Sequence, residues 1–207
     1  MGKIEIRNLL VSECYTNCYL CKNKETGEGF IVDPGENELK ISVNISKMEM
    51  KPVAIILTHG HYDHIGAVNA LKERYGIKVY VSEAEKELIG NKKMNLSSYF
   101  DSPMTIKADE FLKDGQKITL AGINMTFIAT PGHTPGSGCY YLEDNEILFS
   151  GDTLFQTSVG RSDFPGGSAS ALVRSVKEKL LVLPEETHVY PGHMEETTIG
   201  YEKLHNP

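Results

Sequence analysis

The sequence predicts an α/β (α+β) domain in which mixed sheets are covered by helices, and three observations carry that expectation. Segments of β type fall into two groups, within residues 3–35 and 117–151. Segments with a helical period are interspersed between and after them. The chain has 207 residues, enough for one sizeable core, and a single domain over 1–207 is expected.

In the first half, KIEIRNLL (3–10), CYLC (18–21) and GFIVDPG (29–35) read as strands closed by turn residues. Residues 36–50 fit two periods: Leu39, Ile41, Val43 and Ile45 alternate, whereas Ile41, Ile45 and Met48 follow a helix. A helix is expected, because Asp33-Pro34-Gly35 ends one strand and another begins at Val53. VAIILT (53–58) is an all-apolar run, typical of a strand buried on both faces. IGAVNALKERYG (65–76) reads as a helix with Ile65, Val68 and Leu71 on one face and Gly76 at its end. KVYVS follows as a strand, and SEAEKELIG then opens with Ser82 and Glu85 in capping-box spacing. Residues 90–104 carry no period and predict an exposed loop.

The second half holds KITL (117–120), a tight turn at Ala121-Gly122 and INMTFIAT (123–130). CYYLE (139–143) and EILFSG (146–151) form a predicted hairpin across Asp144-Asn145. Residues 168–184 read as an amphipathic helix with Leu172, Val176, Leu180 and Leu183 inward and Pro184 after it. A last strand, HVY, runs into PGH.

Composition bounds the function. The chain is 40% hydrophobic and 24% charged, which excludes a disordered segment. A formal net charge of −7 disfavours a nucleic-acid binder held by phosphate contacts. The N-terminus, MGKIEIRNLLVSE, is broken by Lys3, Glu5 and Arg7 and lacks the apolar core of a signal peptide. No apolar run approaches the ~20 residues of a membrane span, so a cytoplasmic protein with no membrane partner is expected. Cys14, Cys18 and Cys21 have C-x3-C-x2-C spacing, which also occurs in iron–sulfur enzymes. Their strand-like surroundings, and those of Cys139, point to buried, unreacted thiols instead.

Chemistry is concentrated in THGHYDHIGA (58–67), where His59, His61, Asp63 and His64 occupy six positions. Imidazole together with carboxylate suits zinc or iron rather than calcium or magnesium. Three further residues of ligand type stand at turns after predicted strands: His133 in TPGHTPGS, Asp152 in FSGDTLF and His193 in YPGH. His188 and His205 lack such a setting and are assigned no role.

Together these motifs resemble the metallo-β-lactamase superfamily over nearly the whole chain, from IVDPG through THGHYDHIGA, TPGHTPGS and SGDTLF to YPGH. GRSDFPGG and TTIGYEKLHNP resemble the glyoxalase II branch, the hydroxyacylglutathione hydrolases, especially short bacterial members without the C-terminal helical lobe. The resemblance implies a four-layer αββα sandwich with metals at one edge between the sheets. It implies a first divalent ion on His59, His61 and His133, a second on Asp63, His64 and His193, and Asp152 bridging both. Zinc is expected, with iron or manganese as alternatives. Asp63 and Asp152 then count as catalytic, holding a metal-bridging hydroxide that attacks a carbonyl. Asp33 is expected to orient a histidine or hold a turn.

A small-molecule thioester such as S-D-lactoylglutathione is the expected substrate. Its thiolate leaves without a strong general acid, since a thiol pKa is about 8.5. The lobe that grips glutathione in the long enzymes is missing, so Arg161, Lys92 and Lys93 are the candidate substrate contacts, with Arg161 also placed to pair with Asp163. The rival reading is a persulfide dioxygenase with one iron on residues matching His59, His133 and Asp152. A non-catalytic metal-binding module is the reading from another class.

Overall fold

Apolar strands that are buried on both faces need cover on both sides. The computed structural model of the protein, which describes residues 4–207, supplies it in four layers. The first half contains β1 (Ile4–Val11), β2 (Thr16–Asn23), β3 (Glu28–Val32), α1 (Glu38–Lys47), β4 (Lys51–Ile56), α2 (Tyr62–Ile65), α3 (Val68–Tyr75), β5 (Lys78–Ser82), α4 (Lys86–Ile89) and β6 (Glu110–Leu112). Among the described residues these strands form one sheet in sequence order, antiparallel from β1 to β3 and parallel from β3 to β6.

The second half contains β7 (Lys117–Leu120), β8 (Ile123–Ala129), β9 (Gly138–Leu142), β10 (Ile147–Gly151), β11 (Leu154–Phe155), β12 (Ser158–Val159), α5 (Ala169–Ser175), β13 (His188–Pro191), β14 (Thr197–Thr198) and α6 (Ile199–His205). Its sheet runs β14-β13-β10-β9-β8-β7, with β10 and β13 parallel, and β11 and β12 form a separate small hairpin.

The strand alternation sorts side chains into three apolar layers. Phe30, Ile56, Phe127, Tyr140 and Phe149 fill the space between the sheets. Ile31, Ile55 and Val79 face the opposite way and pack under Ile41 and Ile45 of α1 and Val68 and Leu71 of α3. Leu148 and Val189 meet Val176, Leu180 and Ile199 on the far side. Helix–sheet–sheet–helix layering follows directly.

The ambiguous segment 36–50 resolves as a helix because period 3.6 buries Ile41 and Ile45, while Leu39 and Val43 stay exposed. The Asn37 side chain caps it by accepting from the Lys40 N–H at 3.3 Å. Other expectations need correction. The first predicted strand runs Ile4–Val11, and its Lys3 lies outside the described residues. The helix predicted over 65–76 is two helices, α2 and α3, interrupted at Gly66-Ala67 where the Ala67 N–H bonds the Pro34 carbonyl at 2.9 Å. The helix predicted over 168–184 is α helical only over Ala169–Ser175. It continues as a wider turn in which the Leu181 N–H reaches the Val176 carbonyl. The loop 90–104 is only partly exposed, since Asn95 and Ser97 are buried and bond the Met104 carbonyl. The strands β6, β11, β12 and β14 and the helix α6 are additions, all short and with too few residues for a period to show.

The thiols differ from one another. Cys18 and Cys21 sit three apart on β2, so they face opposite sides of the sheet and cannot share a cluster. Cys14 is exposed, contrary to expectation, because it precedes the strand in a turn.

Phe149 meets the rings of Tyr19, Phe30 and Tyr190 at 5.4, 6.3 and 5.5 Å in the inter-sheet layer. Phe149→Ala is expected to cost about 3–5 kcal/mol in urea unfolding. Leu39→Ala, on the exposed face of α1, should stay within about 0.5 kcal/mol. Equal losses would contradict this layer assignment.

Candidate metal centre

Four segments that follow the C-terminal ends of strands converge at one edge. β4 leads to His59, His61, Asp63 and His64; β8 to His133; β10 to Asp152; β13 to His193. Thr58 fixes the edge between the sheets. Its carbonyl accepts the Gly138 N–H at 2.9 Å, and its N–H and hydroxyl donate to the two carboxylate oxygens of Asp33 at 2.8 and 2.6 Å. Gly151 (φ +51°) lies so close to Thr58 that a Cβ would fall 2.3 Å from its hydroxyl oxygen. Gly192 of the PGH turn packs against the Asp152 carboxylate, where a Cβ would fall 2.2 Å from Oδ1.

Outer hydrogen bonds settle which ring nitrogens carry protons. His133 Nδ1 lies 2.7 Å from the Arg161 carbonyl, which only accepts, so Nδ1 is protonated and the Nε2 lone pair points inward. His64 Nδ1 donates to Asp33 Oδ2 at 3.0 Å. The Thr58 hydroxyl, already a donor to Asp33, accepts from His59 Nδ1 at 3.2 Å, again leaving Nε2 to face the centre. Asp33 thus both orients a histidine and holds a turn, at φ +46°.

His59, His61 and His133 bring their ligand-type atoms within 4.8 Å of one another, and so do Asp63, His64 and His193. Asp152 lies between the groups: its Oδ2 is 3.5 Å from both His133 Nε2 and His193 Nε2, and its Oδ1 is 3.4 Å from His64 Nε2. Asp63 Oδ2 is 3.3 Å from His193 Nε2 and accepts the Thr16 hydroxyl at 2.9 Å. A third grouping joins Asp33 to His59 and His64, but Asp33 is already engaged by Thr58 and His64 and acts as an orienting group.

The electrostatics fit a cation. Burial, then the neighbouring histidines, hold His59 well below its ordinary pKa and bring His61 down to about 3, so both keep free lone pairs at neutral pH. Burial also resists charge on His64, but Asp63, Asp152 and Asp33 outweigh it and raise its pKa to about 10 in the metal-free chain. Among the described residues, His59 Nε2, His61 Nε2 and Asp152 Oδ1 are buried without a hydrogen-bond partner. Unpaired buried lone pairs are costly, and a divalent ion satisfies several at once, so this donor set fits metal.

Glu85 also belongs to this centre. Its spacing from Ser82 suggested a capping box, but the Ser82 hydroxyl accepts from the Ala84 N–H and Glu85 turns inward. Its carboxylate accepts from the Gly60 N–H at 2.8 Å, the Gly136 N–H at 2.8 Å and the Thr134 hydroxyl at 2.7 Å. Glu85 therefore joins the loop of His59 and His61 to the loop of His133. Burial raises its pKa against the pull of those donors. A carboxylate inside a helical start carries no local signal of this role; its only trace is that capping geometry would have left the acid at the surface.

Of the candidate substrate contacts, Arg161 lines the cavity over the centre, bonds Asp163 through two nitrogens at 2.9 and 2.7 Å and lies 4.4 Å over the Phe164 ring. Lys92 and Lys93 are exposed on the 90–104 loop and do not line that cavity. His188 and His205 are exposed, His205 stacking on Tyr201.

Glu85→Gln leaves one oxygen for three donors and faces an amide N–H against a backbone N–H. Metal affinity should fall about 10- to 100-fold in competition with a chelating dye, with the far-UV spectrum retained. Unchanged affinity would reduce Glu85 to a packing role.

Known proteins resemble this chain in sequence and fold. The family model described as the metallo-β-lactamase superfamily matches residues 11–193. The "Probable metallo-hydrolase YqgX" of Bacillus subtilis is 36% identical, covering 97% of this chain and 95% of its own. The "Hydroxyacylglutathione hydrolase GloC" of Haemophilus influenzae is 32% identical over 99% and 97%. Among solved structures, the B3 metallo-β-lactamase BLEG-1 superposes with TM-score 0.93 at 38% identity, over 98% of both chains. TTHA1623 in a di-iron-bound form gives 0.87 at 34%, over 97% and 98%. ETHE1 from Myxococcus xanthus gives 0.82 at 31%, over 98% and 83%. With its sandwich fold and its histidine–aspartate edge, the chain belongs to the metallo-β-lactamase superfamily.

Proposed function

We propose that the protein is a metal-dependent thioester hydrolase, with thioesters such as S-D-lactoylglutathione as the substrate class. One observation carries the reading: two groups of ligand-type residues share Asp152, and the open face above them offers no ready acid for a poor leaving group. Two bound divalent ions would supply a Lewis acid for a carbonyl oxygen and a water that ionises near neutral pH.

His59, His61 and His133 would hold the first ion and Asp63, His64 and His193 the second, with Asp152 reaching both. Zinc is the first choice, with iron or manganese as alternatives; the similar TTHA1623 takes two irons. Asp63, held by the Thr16 hydroxyl, and Asp152 would orient the attacking water through their carboxylates. Tyr62 is the remaining hydroxyl acid close to Asp63. Its pKa is raised by burial and by its contact with Cys14, so it gives up a proton poorly. A departing amide nitrogen needs such a proton, whereas a thiolate leaves without one. Likeness to GloC supports the thioester on independent grounds.

Likeness to ETHE1 fits a second reading, oxidation of a persulfide at one iron on His59, His133 and Asp152. The gathering of Asp63, His64 and His193 into a group of their own favours two ions. Four free cysteines suit the reducing cytoplasm, and among the described residues no helix is long and apolar enough to cross a membrane.

The zinc-loaded protein should hydrolyse at least one thioester of a panel that includes S-D-lactoylglutathione. His59→Ala should lose most of the activity and part of the bound metal. A chelator should abolish turnover and lower the Tm, with both restored by metal, because an ion that binds only the folded chain stabilises it. Oxygen uptake with glutathione persulfide and no thioester turnover would replace this reading with the dioxygenase.

A further inference from the structure

Above the metal centre lies a cavity of about 610 Å³ whose walls are largely aromatic. Tyr62 and Phe100 stack face to face, with ring centroids 3.8 Å apart. Phe164 stands edge-on to His61 at 5.4 Å, and Phe155 edge-on to His193 at 6.2 Å, so rings press directly on the ligand-type imidazoles. Tyr99 and Phe100 are 76% and 45% exposed on the rim, a poor use of aromatic surface unless something covers it. Leu96 completes the wall from the same loop.

Away from the metal centre, the side chains around this cavity offer a carboxylate-bearing thiol no free cation. Arg161 is its one cationic side chain of fixed charge, and that guanidinium is closed into a two-point pair with Asp163. On the other side of Tyr62 and Phe100 a second cleft is lined by Glu13, Glu36 and Asp101. The formal charge of −7 adds a repulsive field for anions. Glutathione, with two carboxylates, finds apolar rings and acids here, and no free cation among the lining residues of either cleft.

We propose that the larger arm of the substrate is apolar and ring-bearing, and that Tyr62, Tyr99, Phe100, Phe155 and Phe164 select it by burial rather than by ion pairing. This rests on the thioester-hydrolase reading and names the substrate class of that site. The arm displaces water from the exposed rings of Tyr99 and Phe100 and packs against Phe164, whose ring also carries the Arg161 guanidinium. The scissile carbonyl then sits beneath it, over Asp152. Specificity is thereby placed on residues of the 90–104 loop and of the GRSDFPGG segment, together with Tyr62 of α2 and Phe155 of β11.

The test compares two thioesters with one acyl group, S-D-lactoyl benzyl mercaptan and S-D-lactoylglutathione, on the zinc-loaded full chain. Burying one phenyl ring predicts about 10- to 100-fold higher kcat/KM for the benzyl compound, expressed mainly in KM. Phe100→Ser, on the exposed rim, should pull that ratio toward one with metal content unchanged. In parallel, anilinonaphthalene sulfonate should bind the loaded protein and be displaced by the benzyl compound and not by glutathione.

Equal or better turnover of the glutathione thioester would overturn the proposal and leave the hydrolase reading standing. So would a raised KM for it when Lys92 and Lys93 are both replaced by Ala. Absence of turnover for every thioester would instead overturn the hydrolase reading. The dye competition would then decide separately whether the apolar site exists.

Discussion

The arrangement depends on the pair of hydrogen bonds between Thr58 and the buried carboxylate of Asp33. Asp33 follows β3 and Thr58 lies just beyond β4, so the pair ties these parallel neighbours together just past the last paired residues, Val32 and Ile56. The Thr58 carbonyl then takes the Gly138 N–H from the second sheet. The same carboxylate turns His64, and through the Thr58 hydroxyl it turns His59. The Asp33–Thr58 pair thus ties two strands, links the two sheets through the Thr58 carbonyl and sets two tautomers, and a buried network of this kind is rigid only when every member is satisfied.

The centre combines two opposite electrostatic demands. Its first group is three imidazoles, two of them kept neutral by burial, and its second gathers carboxylates that hold a proton on His64 in the metal-free chain. Both demands are of the kind that bound divalent metal would meet, by taking the free imidazole lone pairs and offsetting the carboxylate charge. Glu85 and the Arg161 carbonyl brace the His133 loop from outside, so groups beyond the ligand-type side chains share in setting the geometry of the centre.

Relatives 32–38% identical to this chain differ in their named activities: a metallo-β-lactamase, a hydroxyacylglutathione hydrolase and a probable metallo-hydrolase. A shared fold does not by itself fix the substrate, which depends on the particular surfaces that surround the site. In this chain much of the cavity wall comes from the 90–104 loop and the segment after β12, with Tyr62 of α2 and Phe155 of β11 completing it, and its lining holds several rings and one cation of fixed charge, the paired Arg161.

The ligand-type residues and the strands that deliver them were legible in the sequence. Histidine and aspartate spacing is local, and an all-apolar run such as VAIILT reports its own burial. Helix α1 was legible too, through Ile41 and Ile45. The break between α2 and α3 was not, because it is imposed by the Pro34 carbonyl, a contact across more than thirty positions. Glu85 and Cys14 escaped for the same reason: capping spacing and strand propensity are read from neighbours, whereas their partners Gly60, Gly136 and Tyr62 arrive from other segments. By itself, then, the sequence determined the two groups of strands and the histidines and aspartates that gather at their edge, which rest on short-range pattern, and its motifs together carried the resemblance to the family. Tertiary structure alone decided which lone pairs face inward, which acid braces the histidine loops and what kind of surface covers the site, because each is an encounter between residues far apart in the chain.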